Sequence, residues 1–118
     1  MSQKLNKELE RITGAFSEEA PEDAVYPYAV FSARRISESD EKQIYNLEIN
    51  VWDQHTYYSR AESMMDELEQ KLHRCNEITD LFLIRIFKGQ RQNVTDPDKT
   101  IKRVREQFEM HVYEREVD

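Results

Sequence analysis

The side chains able to do chemistry in this chain are few. They are Asp53 and His55 at one end of an alternating segment, His73 and Cys75 two residues apart, and His111 near the C-terminus. Asp53 beside His55 is the composition of an acid–base pair, but such a pair works only with an orienting or oxyanion-stabilising group and a pocket, and no motif supplies either. A metal site needs several ligands converging on one point. His73 and Cys75 fall on a segment with helical periodicity, where a separation of two points side chains to different sides. His111 alternates away from the apolar positions around it, and His55 stands alone. Cys75 completes an apolar stripe, where a free thiol acts as a small hydrophobe. With two glycines in the whole chain there is no glycine-rich phosphate loop, no Gly-x-Ser-x-Gly and no His-Glu-x-x-His. The expectation is a protein without catalytic residues, cofactor or metal, in which Asp53 ends a strand and bonds nearby backbone donors.

At 118 residues the chain is expected to form one domain, residues 1–118, with a modest core. Its 38% hydrophobic and 35% charged residues suit a well-solvated protein rich in regular structure. One cysteine excludes an intrachain disulfide, and no apolar run reaches membrane-span or signal-peptide length, so folding in a reducing cytoplasm is expected.

The net charge of −7 argues against nucleic-acid binding. Six scattered tyrosines do not reverse this, since stacking on bases without a basic groove is weak. The charge is uneven. Between Arg85 and Arg105 lie seven basic and two acidic residues, a local charge of +5, so the remainder carries −12. Such polarity suits head-to-tail association of copies. Arg85, Lys88, Arg91, Lys99, Lys102 and Arg103 are therefore the candidate interface residues. Charge reversal at Lys88 and Arg91 is expected to weaken self-association and leave folding intact.

Leu5, Leu9, Ile12 and Phe16 share one stripe of a first helix over about residues 2–15, with Gly14 at its end. VYPYAVFSARRI has strand composition, beginning near Pro27 or lying at an edge. In QIYNLEINVWD, Tyr45, Leu47, Ile49 and Val51 alternate with polar residues and predict a half-buried strand. From Tyr58 the period becomes helical: Ala61, Met64, Met65, Leu68, Leu72 and Cys75 lie on one face. Ser59 and Glu62 have capping-box spacing, and Thr56 is the alternative cap for a helix starting slightly earlier. Trp52, Asp53, Ser59 and Glu62 then mark a structural junction between strand and helix.

TDLFLIRIF predicts a central strand buried on both faces. KGQRQNVTDPDK reads as a loop of about a dozen residues, a candidate assembly arm, and REQFEMHVYER as a last strand with Phe108, Met110 and Val112 inward. The order α-β-β-α-β-β predicts an α+β fold, a largely antiparallel four-stranded sheet with helices packed on one face.

The segments VYPYAVFSARR, YNLEINVWD, TYYSRAESMMDELEQKL and REQFEMHVYER together resemble the tail completion or tail terminator proteins of long-tailed bacteriophages and prophages. The resemblance spans about Val25 to Arg115 and rests on short structural motifs. It implies a non-enzymatic virion-assembly protein, built in the host bacterial cytoplasm. Such a protein forms a hexameric ring at the head-proximal end of the tail tube, ends tube growth and joins tail to head. Its implied partners are other copies of itself, the tail tube protein and the head-tail connector protein, with no membrane and no specific nucleic acid. Two alternatives remain: a connector component of the neck, and a small cytosolic α+β enzyme, which would need a deep pocket with converging polar groups.

Overall fold

The computed structural model describes residues 2–39 and 41–115; Asp40, in the second acidic run, lies outside the described residues. Helix α1 spans Gln3–Thr13. Ser2 caps it by accepting the Leu5 amide on its hydroxyl, and Gly14, at φ 68°, closes it by donating to the Glu10 carbonyl. A left-handed residue at this position favours glycine, which has no Cβ to clash. Leu5, Leu9 and Ile12 are buried, as their spacing predicts. Phe16, expected to extend that stripe, instead begins a two-residue strand, β1 (Phe16–Ser17).

The remaining elements are β2 (Tyr28–Glu38), β3 (Gln43–Gln54), α2 (Ser59–Leu72), β4 (Cys75–Ile78), β5 (Phe82–Val94) and β6 (Ile101–Glu114). β2 starts directly after Pro27, whose preceding peptide bond is cis. The strands form one sheet in the order β1-β2-β3-β6-β5-β4, with β1 parallel to β2 and every other pair antiparallel. This overturns the expected four-stranded α+β sheet under a helical layer. The sheet has six strands, is mixed, and curls into a half-barrel; strands take half of the chain and helices about a fifth.

Two short strands escaped the reading for a physical reason. β1 and β4 have too few residues to display a period of two. In β4 the helical spacing of Leu68, Leu72 and Cys75 also continues across a boundary that the backbone breaks. His73 is extended and Arg74 takes φ 62°, which turns the chain back so that the Arg74 amide donates to the Ile86 carbonyl at 2.7 Å. Cys75 therefore lies on a strand, half-buried against the core.

The core fills one side of the sheet. Ala29 and Phe31, then Tyr45, Leu47, Ile49 and Val51, then Val104, Phe108, Met110 and Val112, and Phe82, Ile84 and Ile86 point inward, as alternation along each strand requires. α2 lies against β3, β6 and β5 through Ala61, Met65, Leu68 and Leu72, and α1 packs at the side, on α2 and β1. Lys71 ties the two helices by donating to the Thr13 carbonyl.

β5 is not the central strand expected from its apolar run. It sits between β6 and β4, with Phe82, Ile84 and Ile86 buried but Arg85 exposed on the other face. It also runs seven residues past the apolar stretch to Val94, so most of the expected loop is strand. The connection that remains, residues 95–100, is held by its own side chains: Asp96 accepts the Asp98 amide, and Asp98 accepts the amide and hydroxyl of Thr100. Such self-bonded turns are compact, unlike an arm. One irregularity interrupts the β5–β6 register between Lys88 and Arg91. Gly89 lies there so close to β6 that a Cβ would stand 2.5 Å from the Gln107 carbonyl oxygen.

Candidate functional site

At the strand-to-helix junction, Asp53 is the last inward residue of β3 and its side chain is fully buried. A buried carboxylate needs a cation and hydrogen bonds, and Arg60, in the first turn of α2, supplies both. Its Nε donates to Oδ2 at 2.9 Å and its Nη2 to Oδ1. This bidentate bond to Arg60 is the chief reason the Asp53 carboxyl is held below its ordinary range. Asp53 thus holds the junction chiefly through a side-chain ion pair, with a smaller contribution from the backbone of Gln54, a nearby donor of the kind expected of it.

His55 serves the turn that follows. Its Nδ1 accepts the Tyr57 amide at 3.1 Å and its own amide donates to the Thr100 carbonyl. The capping box does not form: Tyr58 occupies the N-cap position in helical geometry with no side-chain cap, and Ser59 is already the first helical residue. Trp52 points to the opposite side of the sheet, where the Arg103 guanidinium lies 4.8 Å from its ring centre.

The second charged centre joins α2 to the β5–β6 hairpin. Glu106 occupies the inward series of Val104, Phe108 and Met110 and is fully buried. Arg91 reaches it from β5, with Nε donating to Glu106 Oε1 at 2.7 Å. Its Nη1 donates to Asp66 at 2.7 Å and its Nη2 to Glu69 at 2.9 Å. Burial acts against the charge of Arg91, but the three carboxylates outweigh it and raise its pKa. Burial pushes Glu106 up to about 7, against the pull of Arg91 and reinforced by neighbouring Glu69. Burial also acts to raise Glu69, yet its bond with Glu106 and the charge of Arg91 bring it below the usual range. Among the described residues Glu106 Oε2 has no hydrogen-bond partner.

Glu62, Asp66 and Glu69 stand at i, i+4 and i+7 on α2, one face of the helix. Opposite them on β5 are Asn93, whose amide donates to Glu62 at 3.1 Å, then Arg91, then Lys88, 3.4 Å from Glu69. Part of the basic segment is therefore matched to an acidic stripe of its own chain.

The six candidate interface residues do not form one patch. Arg85 and Arg103 lie on the outer face of the sheet, Arg85 near the Phe87 ring and Arg103 on Trp52, bonded to Asn50. Lys88, Arg91 and Lys102 lie on the helix side, Lys102 over the Tyr58 ring, and Lys99 is exposed in the β5–β6 turn. Sequence reading missed Arg60 and Glu106. The position of Glu106, two before Phe108 on an alternating strand, was the available signal that its carboxylate would need an internal cation.

Depressions on the surface are open. One, about 550 Å3, is lined by Gln54, His55, Thr56, Lys99, Thr100 and Lys102. Another, of about 360 Å3 beside the start of α1, includes Ala33, Arg35, Tyr45 and Phe82. Neither includes the raised Glu106 carboxyl. Among the described residues no group of three or more histidine, cysteine or acidic side chains is placed to hold a metal ion, and no helix is long and apolar enough to cross a membrane.

No family model matches the sequence, and no curated protein matches it. Its fold, however, is similar to that of a chain in the virion of a native gene transfer agent particle. The likeness has a TM-score of 0.69 and covers 89% of this chain and 84% of that one, at 12% sequence identity.

Proposed function

We propose that this chain is a structural component of a phage or phage-like virion, a tail completion protein that acts as a ring at the head-proximal end of the tail tube. There it ends tube growth and offers a surface to the head connector. The observation that carries the reading is the fold likeness to a chain of a gene transfer agent virion, which extends over most of both chains. The tail-terminator resemblance of the strand, junction and helix segments points the same way. The internal chemistry fits a structural role as well, because the perturbed groups Asp53, Glu106 and Glu69 are spent on joining helix to sheet. Of the basic candidates, Arg85, Lys88 and Lys99 are exposed; Lys88 faces Glu69 of its own chain, and Arg85 and Lys99 are assigned to contact with the tube or the connector.

The test is assembly of tail tubes with and without the chain. Tubes grown without it are expected to overrun their normal length and fail to join heads; adding the chain back restores both, with the chain seen as a cap on one end. Tubes of normal length that join heads without it would overturn the reading. Restored joining with no effect on length would move the chain to the neck.

A further inference from the structure

The sheet ends in two free edges that match each other. β1 covers β2 only at Val30 and Phe31, so among the described residues β2 has no strand partner on its outer side from Ala33 onward. At the other end β4 is the last strand, with no strand on its outer side among the described residues. A free edge presents unpaired amides and carbonyls, a template for another strand.

The two edges lie at the same level and run the same way. Across the sheet, Arg35 pairs with Tyr45, Tyr45 with Met110, Met110 with Ile86, and Ile86 with Cys75. One row further, Ser37, Ile44, His111, Arg85 and Asn76 form the next complete line, and Glu38, Gln43, Val112, Ile84 and Glu77 the one after it. Four antiparallel steps separate β2 from β4, so these edge strands point in the same direction.

The outward groups can be named. The Phe31 carbonyl accepts the Glu18 amide on the outer side, so by alternation Ala33 and Arg35 also direct their amides and carbonyls outward. In β4 the Thr79 amide donates inward to Phe82, which leaves Asn76 and Ile78 facing out. Each edge also carries an exposed isoleucine, Ile36 at 53% and Ile78 at 68% relative exposure.

We propose that the free edge of β4 in one copy pairs in parallel with the free edge of β2 in the next, so that the sheets of neighbouring subunits become continuous around the ring. The proposal rests on the ring assembly proposed above. Pairing of unlike edges is a heterologous contact, the kind that closes into rings, whereas antiparallel pairing of like edges makes two-fold dimers. Charge favours the first. Two β2 edges would set Arg34 and Arg35 against their own copies, and two β4 edges would bring Glu77 to Glu77, whereas β4 beside β2 brings Glu77, which also meets Arg11 of its own copy, to the sheet face of Arg35, which also meets its own Glu38.

The test is thiol cross-linking of the full chain in a Cys75→Ser background with a short bismaleimide. The variant with both Ile36→Cys and Ile78→Cys is expected to give a covalent ladder ending at one ring, while each single variant stays monomeric under denaturing conditions. Covalent dimers from a single variant overturn the proposal in favour of like-edge pairing. Rings that sediment normally but never cross-link in the double variant overturn the edge assignment and leave the ring reading standing. A chain that stays monomeric at the highest attainable concentration overturns the ring reading itself. In the unsubstituted chain, amide exchange at Ala33, Arg35, Asn76 and Ile78 should slow on assembly; unchanged exchange in assembled rings again counts against these edges.

Discussion

Arg91 and Glu106 are joined Nε to Oε1 at 2.7 Å, a single bond between neighbouring strands on which the docking of α2 also depends. The remaining guanidinium nitrogens hold Asp66 and Glu69 on the helix. One side chain thus fixes helix to hairpin, and it does so where apolar packing has given out along β5.

Removing Arg91 leaves Glu106 buried without its cation. Arg91→Ala should cost about 3–5 kcal/mol, the usual penalty for breaking one side of a buried pair, and Arg91→Glu should cost more. Denaturant unfolding measures it. That outcome would run against the expectation that charge at residue 91 is reversible without harm to folding. A loss under about 1 kcal/mol would mean that the pair behaves as a surface one.

Glu106 has its folded pKa raised, to about 7, above the ordinary 4.5. A raised acid pKa means that the folded state binds more protons than the unfolded one between these values. This group's contribution is therefore full below about pH 4.5 and is lost as pH rises to about 7. Glu69, lowered, acts in the opposite direction as pH falls. Glu106→Gln keeps an oxygen for Arg91 and supplies a permanent donor toward Glu69. It should flatten the decline of stability between pH 5 and pH 7, seen in melting temperatures taken across that range; an unaltered slope would assign the proton elsewhere.

Asp53→Ala should cost about 1–3 kcal/mol, since the junction loses a buried, doubly bonded acceptor. The effect belongs to the pH range above the ordinary carboxylate value. Because the Asp53 pKa is lowered in the folded state, the wild-type advantage over the variant should shrink as the solution is acidified. Chemical unfolding at neutral and acid pH distinguishes this from a loss of packing, which would not depend on pH.

Gly89→Ala places a methyl 2.5 Å from the Gln107 carbonyl oxygen. Backbone has little freedom to retreat there, so a loss of about 1–3 kcal/mol is expected, as for other overpacked sites. Gln90→Ala, an exposed neighbour, is the control and should stay within about 0.5 kcal/mol.

Several features were legible from local pattern. The stripe of Leu5, Leu9 and Ile12 is a helix, alternation from Tyr45 to Val51 is a strand with that face buried, and Phe108, Met110 and Val112 point inward. These depend on one residue's relation to its near neighbours, which is written in the chain. The strand-to-helix change of period after Asp53 was legible on the same ground, but its fastening to Arg60 was not.

What only the tertiary structure decided is which polar residues meet. The segment from Lys88 to Val94 has the composition of a loop, yet it is strand, because β6 offers a ladder for its backbone and α2 offers Glu62, Asp66 and Glu69 for its side chains. β1 and β4 exist for a similar reason: neighbouring strands, not local propensity, hold them in place. Apolar periodicity fixes how each long element faces the core, since water acts on every residue alike. The pairing of charges and of short strands depends on partners distant in sequence, and those are brought together only when the sheet has closed around the core.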